Sequence, residues 1–164
     1  MSAILFRPID LRGLTLPNRI VVEPMTQFSA HDGTAGDWHL MHLGQYAVSG
    51  AGLVMTESTY VAPQARNTPM CLSLYSDEQE QAIARIKRFF DAYGTARFGV
   101  QLCHAGRRAS AKEPWLGGGP RLPADGGYPN VAPSPVPLSS KWPQPRDRKS
   151  TRLNSSHVAL SRMP

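Results

Sequence analysis

The strongest constraint on the fold is a pattern that occurs three times: a short apolar run that stops abruptly in a cluster of polar residues. Ile20-Val21-Val22 runs into Glu23-Pro24-Met25-Thr26-Gln27-Phe28, and Leu53-Val54-Met55 runs into Thr56-Glu57-Ser58-Thr59. The third run, Phe98 to Leu102, ends in Gln101, Cys103, His104, Ala105, Gly106 and Arg107. Unbroken apolar, β-branched runs suit strands buried on both faces, and such strands are nearly always parallel with helices packed outside. In parallel α/β proteins the carboxyl ends of the strands are where ligands bind.

The segments between these runs read as helices. Asp37 is the expected N-cap of a helix to about Ser49, with Trp38, Met41 and Gln45 on one stripe, Leu43, Tyr46 and Ala47 near it, and Gly50 and Gly52 closing it. Ser76-Asp77-Glu78-Gln79 is a capping box with acids in the first turn. It opens a helix carrying Ala82, Ile83, Ile86, Phe89 and Phe90 at helical spacing and stopping at Gly94. Strands separated by the ~30 residues of one β/α unit predict a (β/α)8 barrel. A doubly wound sheet is the alternative, although no G-x-G-x-x-G turn follows the first strand. Ahead of that strand, residues 5–17 alternate around Arg12-Gly13 as a small hairpin does, and Ile9, Leu11, Leu14 and Leu16 are expected to cover one end of a core.

Beyond Arg108 the periodicity fails. Nine of the 15 prolines lie between Pro114 and Pro145, with Gly117-Gly118-Gly119 and Gly126-Gly127 among them, so residues 113–145 read as an irregular excursion over a barrel mouth. Residues 147–164 are basic and serine-rich, without a usable period. They carry four Lys or Arg against one acid, half of the net +6, and the remaining body has no basic stripe with interleaved aromatics, which argues against a nucleic-acid module. No apolar run approaches the ~20 residues that span a bilayer, and the expectation is a cytoplasmic protein. Cys71 and Cys103 lack CxxC spacing and are expected to be reduced thiols.

Several residues have competing readings. Thr26 serves equally to satisfy backbone groups at a strand end. Gln101 serves equally to face an adjacent strand, and Glu23 to accept a structural hydrogen bond. His39 and His42, at i and i+3, have no second ligand pair, so no metal site is expected. Cys103 beside His104 lacks the exposure argument that a thiolate nucleophile needs.

Taken in order, LFRPIDLRGLTLPNRI, VEPMTQF, DGTAGDWHLMHLGQYA, GLVMTES and GVQLCHAGR resemble the N-terminal part of the Old Yellow Enzyme family, FMN-dependent NADH:flavin oxidoreductases and ene-reductases, over about residues 4–145. The resemblance implies a TIM barrel represented by about its first three β/α units and an N-terminal hairpin, within residues 1–146, with 147–164 a non-native or disordered tail that resembles sequencing-adaptor read-through. It implies that Glu23, Pro24, Met25 and Thr26 lie along the flavin, the Thr26 hydroxyl near the O4 and N5 edge. Ser58 then touches the isoalloxazine through backbone, Gln101 pairs with its pyrimidine edge, and Phe28 lines the substrate cavity. Phe28 stands where part of the family has Tyr.

The implied partners are NADH or NADPH as reductant, a small electron-poor acceptor such as an activated alkene, and a homo-oligomeric full-length parent. A full barrel takes ~250 residues. The strand bearing the family's acceptor-gripping His pair, or His and Asn, and the phosphate-binding loops are not among these residues, so no catalytic residue is assigned. The alternative from another class is a non-catalytic fragment unable to hold FMN, with exposed sheet edges.

Overall fold

The computed structural model describes residues 3–148, which divide into two units, 3–63 with 69–103 and 64–68 with 104–148. The residues 149–164 of the basic tail lie outside the described part.

In the first unit the chain opens with the expected hairpin. β1 (Ile9–Leu11) pairs antiparallel with β2 (Leu14–Leu16), Leu11 opposite Leu14. Its two turn residues both have positive φ, Arg12 at 46° and Gly13 at 88°, as a tight hairpin turn requires. The covering role assigned to its apolar side chains holds for Leu16, which is buried; Leu11 and Leu14 are exposed. Three residues per strand are too few to bury both rows.

β3 (Val21–Val22), β4 (Leu53–Tyr60) and β5 (Arg97–Cys103) form a parallel sheet in sequence order, Val22 opposite Val54 and Val54 opposite Phe98. β3 is shorter than its apolar run, and Val21 is exposed, because β3 is an edge strand. The helices α1 (Asp37–Ala47) and α2 (Asp77–Tyr93) share one core: Leu43 and Ala47 of α1, Ile86 and Phe90 of α2, and Val54 of β4. Phe90 stacks tilted against Phe98 of β5 at 4.9 Å. Sequential strand order with both helices on one face is the barrel-type arrangement; a doubly wound sheet reverses its strand order and places helices on both faces.

Two helix details differ from expectation. The N-cap of α1 is Gly36, and Asp37 is the first helical residue, its carboxylate 2.7 Å from Arg85 at the surface. Trp38 and Met41 are half exposed, whereas His39, Leu43, Gly44 and Ala47 are buried. The sequence carries two apolar stripes on this helix, and the sheet takes the one with smaller side chains. At α2 half of the capping box forms: Ser76 Oγ accepts from Gln79 N–H, while Gln79 Oε1 accepts from Tyr75 N–H rather than that of Ser76.

The second unit is irregular, with short turns of 3₁₀ helix at Gly106–Arg108, Pro114–Leu116 and Pro123–Asp125. Its only ladder among the described residues joins β6 (Val131–Ala132) to β7 (Arg146–Asp147) in parallel. Ser110 anchors it, donating from Oγ to the Arg121 carbonyl and accepting from Tyr128 N–H. Neither Cys71 nor Cys103 is in a disulfide, as expected.

Candidate functional site

The site residues come from the carboxyl ends of the three parallel strands. β4 is longer than its apolar run: Thr56 to Tyr60, expected beyond the strand, continue it. This continuation contains a bulge. Met55 stands opposite Gly99 and Ser58 opposite Gln101, so three steps on β4 match two on β5.

The extra residue decides which chemistry faces which way. A Cβ built on Gly99 would lie 2.4 Å from Met55 Sδ, so Met55 and Gly99 share a sheet face. Gln101, two residues on, returns to that face. In a regular ladder Glu57 would stand opposite Gln101; the bulge puts Ser58 there, and Ser58 Oγ donates to Gln101 Oε1 at 2.8 Å. Glu57 is turned toward α1.

The bulge leaves backbone groups that side chains repair. Gln101 N–H donates to Thr56 Oγ1 at 3.1 Å, and Thr56 and Thr59 hydroxyls meet at 3.0 Å. Thr59 Oγ1 donates to the Glu57 carbonyl at 2.9 Å, so its proton is committed and Thr56 is the donor between them. A directed chain results, from the Gln101 amide through two hydroxyls to a carbonyl, with both threonines fully buried.

On the helix side, Glu57 and His39 form a buried pair, Nε2 to Oε1 at 3.0 Å. Gly36 N–H donates to His39 Nδ1, so that nitrogen holds a lone pair and Nε2 carries the proton. The second oxygen of Glu57 accepts from Gln27 N–H at 3.3 Å. His42, one turn on, has its pKa lowered by burial, against an upward pull from Glu57 and with a further lowering from His39. Met25, Gln27, His39, His42, Leu43 and Glu57 enclose a space of about 10 Å³, enough for about one water.

The loop after β3 contrasts with this. Glu23, Met25 and Thr26 are exposed, Pro24 is half-buried, and among the described residues the Thr26 hydroxyl has no hydrogen bond. Gln27 ties the loop down through its side chain, donating from Nε2 to the Met25 carbonyl and accepting at Oε1 from the Trp38 indole. Phe28, half-buried, adopts φ 48°, a left-handed conformation that costs a bulky residue about 1–3 kcal/mol. Past it, Ala30 N–H donates to the Met70 carbonyl. The side-chain nitrogen of Gln101, Nε2, like the Thr26 hydroxyl, has no partner among the described residues.

The structure thus joins Ser58 to Gln101 directly and puts Glu23, Pro24, Met25, Thr26 and Phe28 on one loop. Sequence reasoning missed Glu57, Gln27 and Trp38. Of the two histidines, His39 proves to have a carboxylate partner, Glu57 on β4, and no cluster of three metal-ligating side chains exists among the described residues. His104 Nδ1 accepts from Gly106 N–H, so that nitrogen is not free to take a thiol proton, and burial, followed by Arg148, lowers the pKa of the ring. A cleft of about 300 Å³ lies at the opposite, amino end of the strands beside Leu14, Phe90 and Arg97. No helix among the described residues is long and apolar enough to cross a membrane.

The residues present suit a planar, hydrogen-bonding ring such as a flavin. They offer an exposed apolar edge at Met25, a partnerless hydroxyl at Thr26 and partnerless amide donors at Gln101 on the same ends of one sheet.

Comparison with known proteins is consistent with this chemistry. Residues 4–126 match the NADH:flavin oxidoreductase / NADH oxidase family. The chain is 43% identical over 138 residues to an NADH:flavin oxidoreductase of Gibberella zeae, covering 82% of this chain and 33% of that protein. It is 34% identical over 149 residues to an NADPH dehydrogenase of Geobacillus sp. (strain WCH70), covering 90% and 39%. Among solved structures, morphinone reductase in complex with tetrahydroNAD superposes with a TM-score of 0.75 at 25% identity, over 94% of this chain and 43% of that one. The chain therefore spans a third to two-fifths of the length of these curated relatives.

Proposed function

This chain belongs to the NADH:flavin oxidoreductase / NADH oxidase family, the family of the Old Yellow Enzymes, and from that premise we propose that it forms the first wall of an FMN site in an NAD(P)H-dependent oxidoreductase. FMN, when bound, supplies a two-electron carrier that takes hydride from NADH or NADPH and passes it to an electron-poor alkene or related acceptor. The part of this chain is to bind and orient that ring. Met25 and Pro24 offer apolar contact, and the Thr26 hydroxyl is available to the ring's O4 and N5 edge. Ser58 holds Gln101 Oε1, which leaves the Gln101 amide protons directed to a hydrogen-bonding edge. Phe28 shapes the acceptor cavity and, lacking a hydroxyl, offers it no hydrogen bond. In the same reading residues 1–146 are the N-terminal portion of the barrel, 147–164 lie outside it, and the whole protein works in the cytoplasm as a homo-oligomer.

The observation that carries the proposal is the Ser58–Gln101 pair, created by a bulge that costs ladder bonds and yields an oriented amide at the ligand end of the sheet. Titrating FMN into the purified protein tests it. The expected result is one flavin per chain, retained through gel filtration with its visible absorption band; colourless protein after filtration overturns it. That second result would favour the other reading, a non-catalytic fragment, for which the edge positions of β3 and β5 speak.

A further inference from the structure

We infer that Glu57 is a positioning residue that fixes the loop from Glu23 to Phe28 by holding the Gln27 amide, with His39 holding Glu57 in turn. The inference deepens the flavin reading and rests on it for the loop's purpose, but it stands on geometry of its own. Glu57 is 3% exposed, and its two carboxylate oxygens reach two different elements, His39 on α1 and Gln27 in the loop. Burying a carboxylate is expensive unless both oxygens are satisfied. Here neither can turn away, because the Gly36 amide fixes the His39 tautomer and leaves Nε2–H as the one ring donor.

Gln27 passes the restraint on. With its backbone held by Glu57, its side chain brackets the loop from both directions, the Met25 carbonyl on one side and the Trp38 indole on the other. Met25 and Thr26, the residues offered to the flavin, therefore take their position from a carboxylate that faces the helix layer. The left-handed Phe28 follows directly and needs such an anchor: a strained φ persists only where the neighbouring residues are held.

Glu57→Gln keeps the shape but makes only one of the two oxygens an acceptor. Its amide nitrogen must face either His39 Nε2–H or Gln27 N–H, a donor against a donor. The test is hydrogen exchange by NMR on the full chain without flavin, reading the Gln27 amide and the three tryptophan indoles, alongside the ring nitrogen shifts of His39. In the wild type the Gln27 amide and Trp38 indole should be protected and His39 should show the Nε2–H tautomer. In Glu57→Gln both protons should exchange roughly tenfold faster or more, with Trp115 and Trp142 unchanged. Unchanged Gln27 protection overturns the inference.

Gln27→Ala keeps the test decisive if Glu57→Gln does not fold. It should free the Trp38 indole while leaving the residue-27 amide protected; loss of that amide protection would mean the side chain, not Glu57, holds the loop. Adding FMN separates the two proposals: wild type that shows the exchange pattern yet takes up no flavin removes the flavin reading and leaves Glu57 as the anchor of the loop.

Discussion

The carboxyl end of β4 and the loop after β3 lie at the same end of one sheet and treat their polar groups in opposite ways. From Thr56 to Thr59 the hydroxyls, the Glu57 carboxylate and its carbonyl are committed to named partners, and Thr56, Glu57 and Thr59 are buried. From Glu23 to Thr26 the side chains are exposed or half-buried, and the Gln27 bonds restrain the loop that carries them. The difference separates two jobs. A binding group must keep a free donor or acceptor for its ligand, and it can do so without collapsing onto its own backbone only if something nearby is rigid.

Both regions stand on strands packed against the same helix layer. Phe90→Ala empties a site shared by α2, β5 and the core, and should cost about 3–5 kcal/mol in urea-unfolding stability. If it costs under about 1 kcal/mol, the helix layer does not support the sheet as described.

A sharper test uses one chemical change in both regions. Thr56→Val keeps the shape but strands the Gln101 backbone N–H and removes the bond that Thr59 Oγ1 accepts, with an expected loss of about 1–3 kcal/mol. Thr26→Val removes a hydroxyl with no partner, so its stability should stay within about 0.5 kcal/mol of wild type. Its effect should appear instead in FMN affinity, as roughly a two- to tenfold weaker dissociation constant, the worth of one neutral hydrogen bond. Equal stability losses in the two variants would erase the distinction.

The smallest effect concerns pH. Burial holds the folded pKa of His42 below its ordinary value of 6.5, so between the two values the unfolded chain binds more protons than the folded one. The stability associated with the neutral ring is present above that range and is lost as pH falls through about 6.5 and below. His104 shifts in the same direction. His42→Asn should therefore flatten the fall in urea midpoint between about pH 7.5 and 5.5 without abolishing it.

Much of this architecture is legible in the sequence because it depends on local rules. The Arg12-Gly13 turn, the opening of α2 at Ser76 and the order of the parallel runs each follow from residues within a few positions of one another. The misses share a cause of another kind. Nothing local says that β4 has one residue more than β5 needs, since a bulge is a property of two strands paired, so Thr56 to Tyr60 read as a loop. His39 and Glu57 are 18 residues apart, and the histidine alone suggests a metal as readily as a carboxylate. On α1 the larger apolar residues, Trp38 and Met41, suggested the wrong face, because the sheet selects for fit and not for size.

The bulge in β4 also makes the strand a device sensitive to phase. Its two halves alternate out of step, so the positions facing inward change parity between Met55 and Ser58. Substitutions on either side of that point follow ordinary rules of size and polarity, but pairing the same residues as a regular ladder, with the bulge closed, would exchange two whole sets of side chains at once. The carboxylate would stand against Gln101 and the serine against His39. The pairing register, more than composition, decides which of those few residues faces which layer.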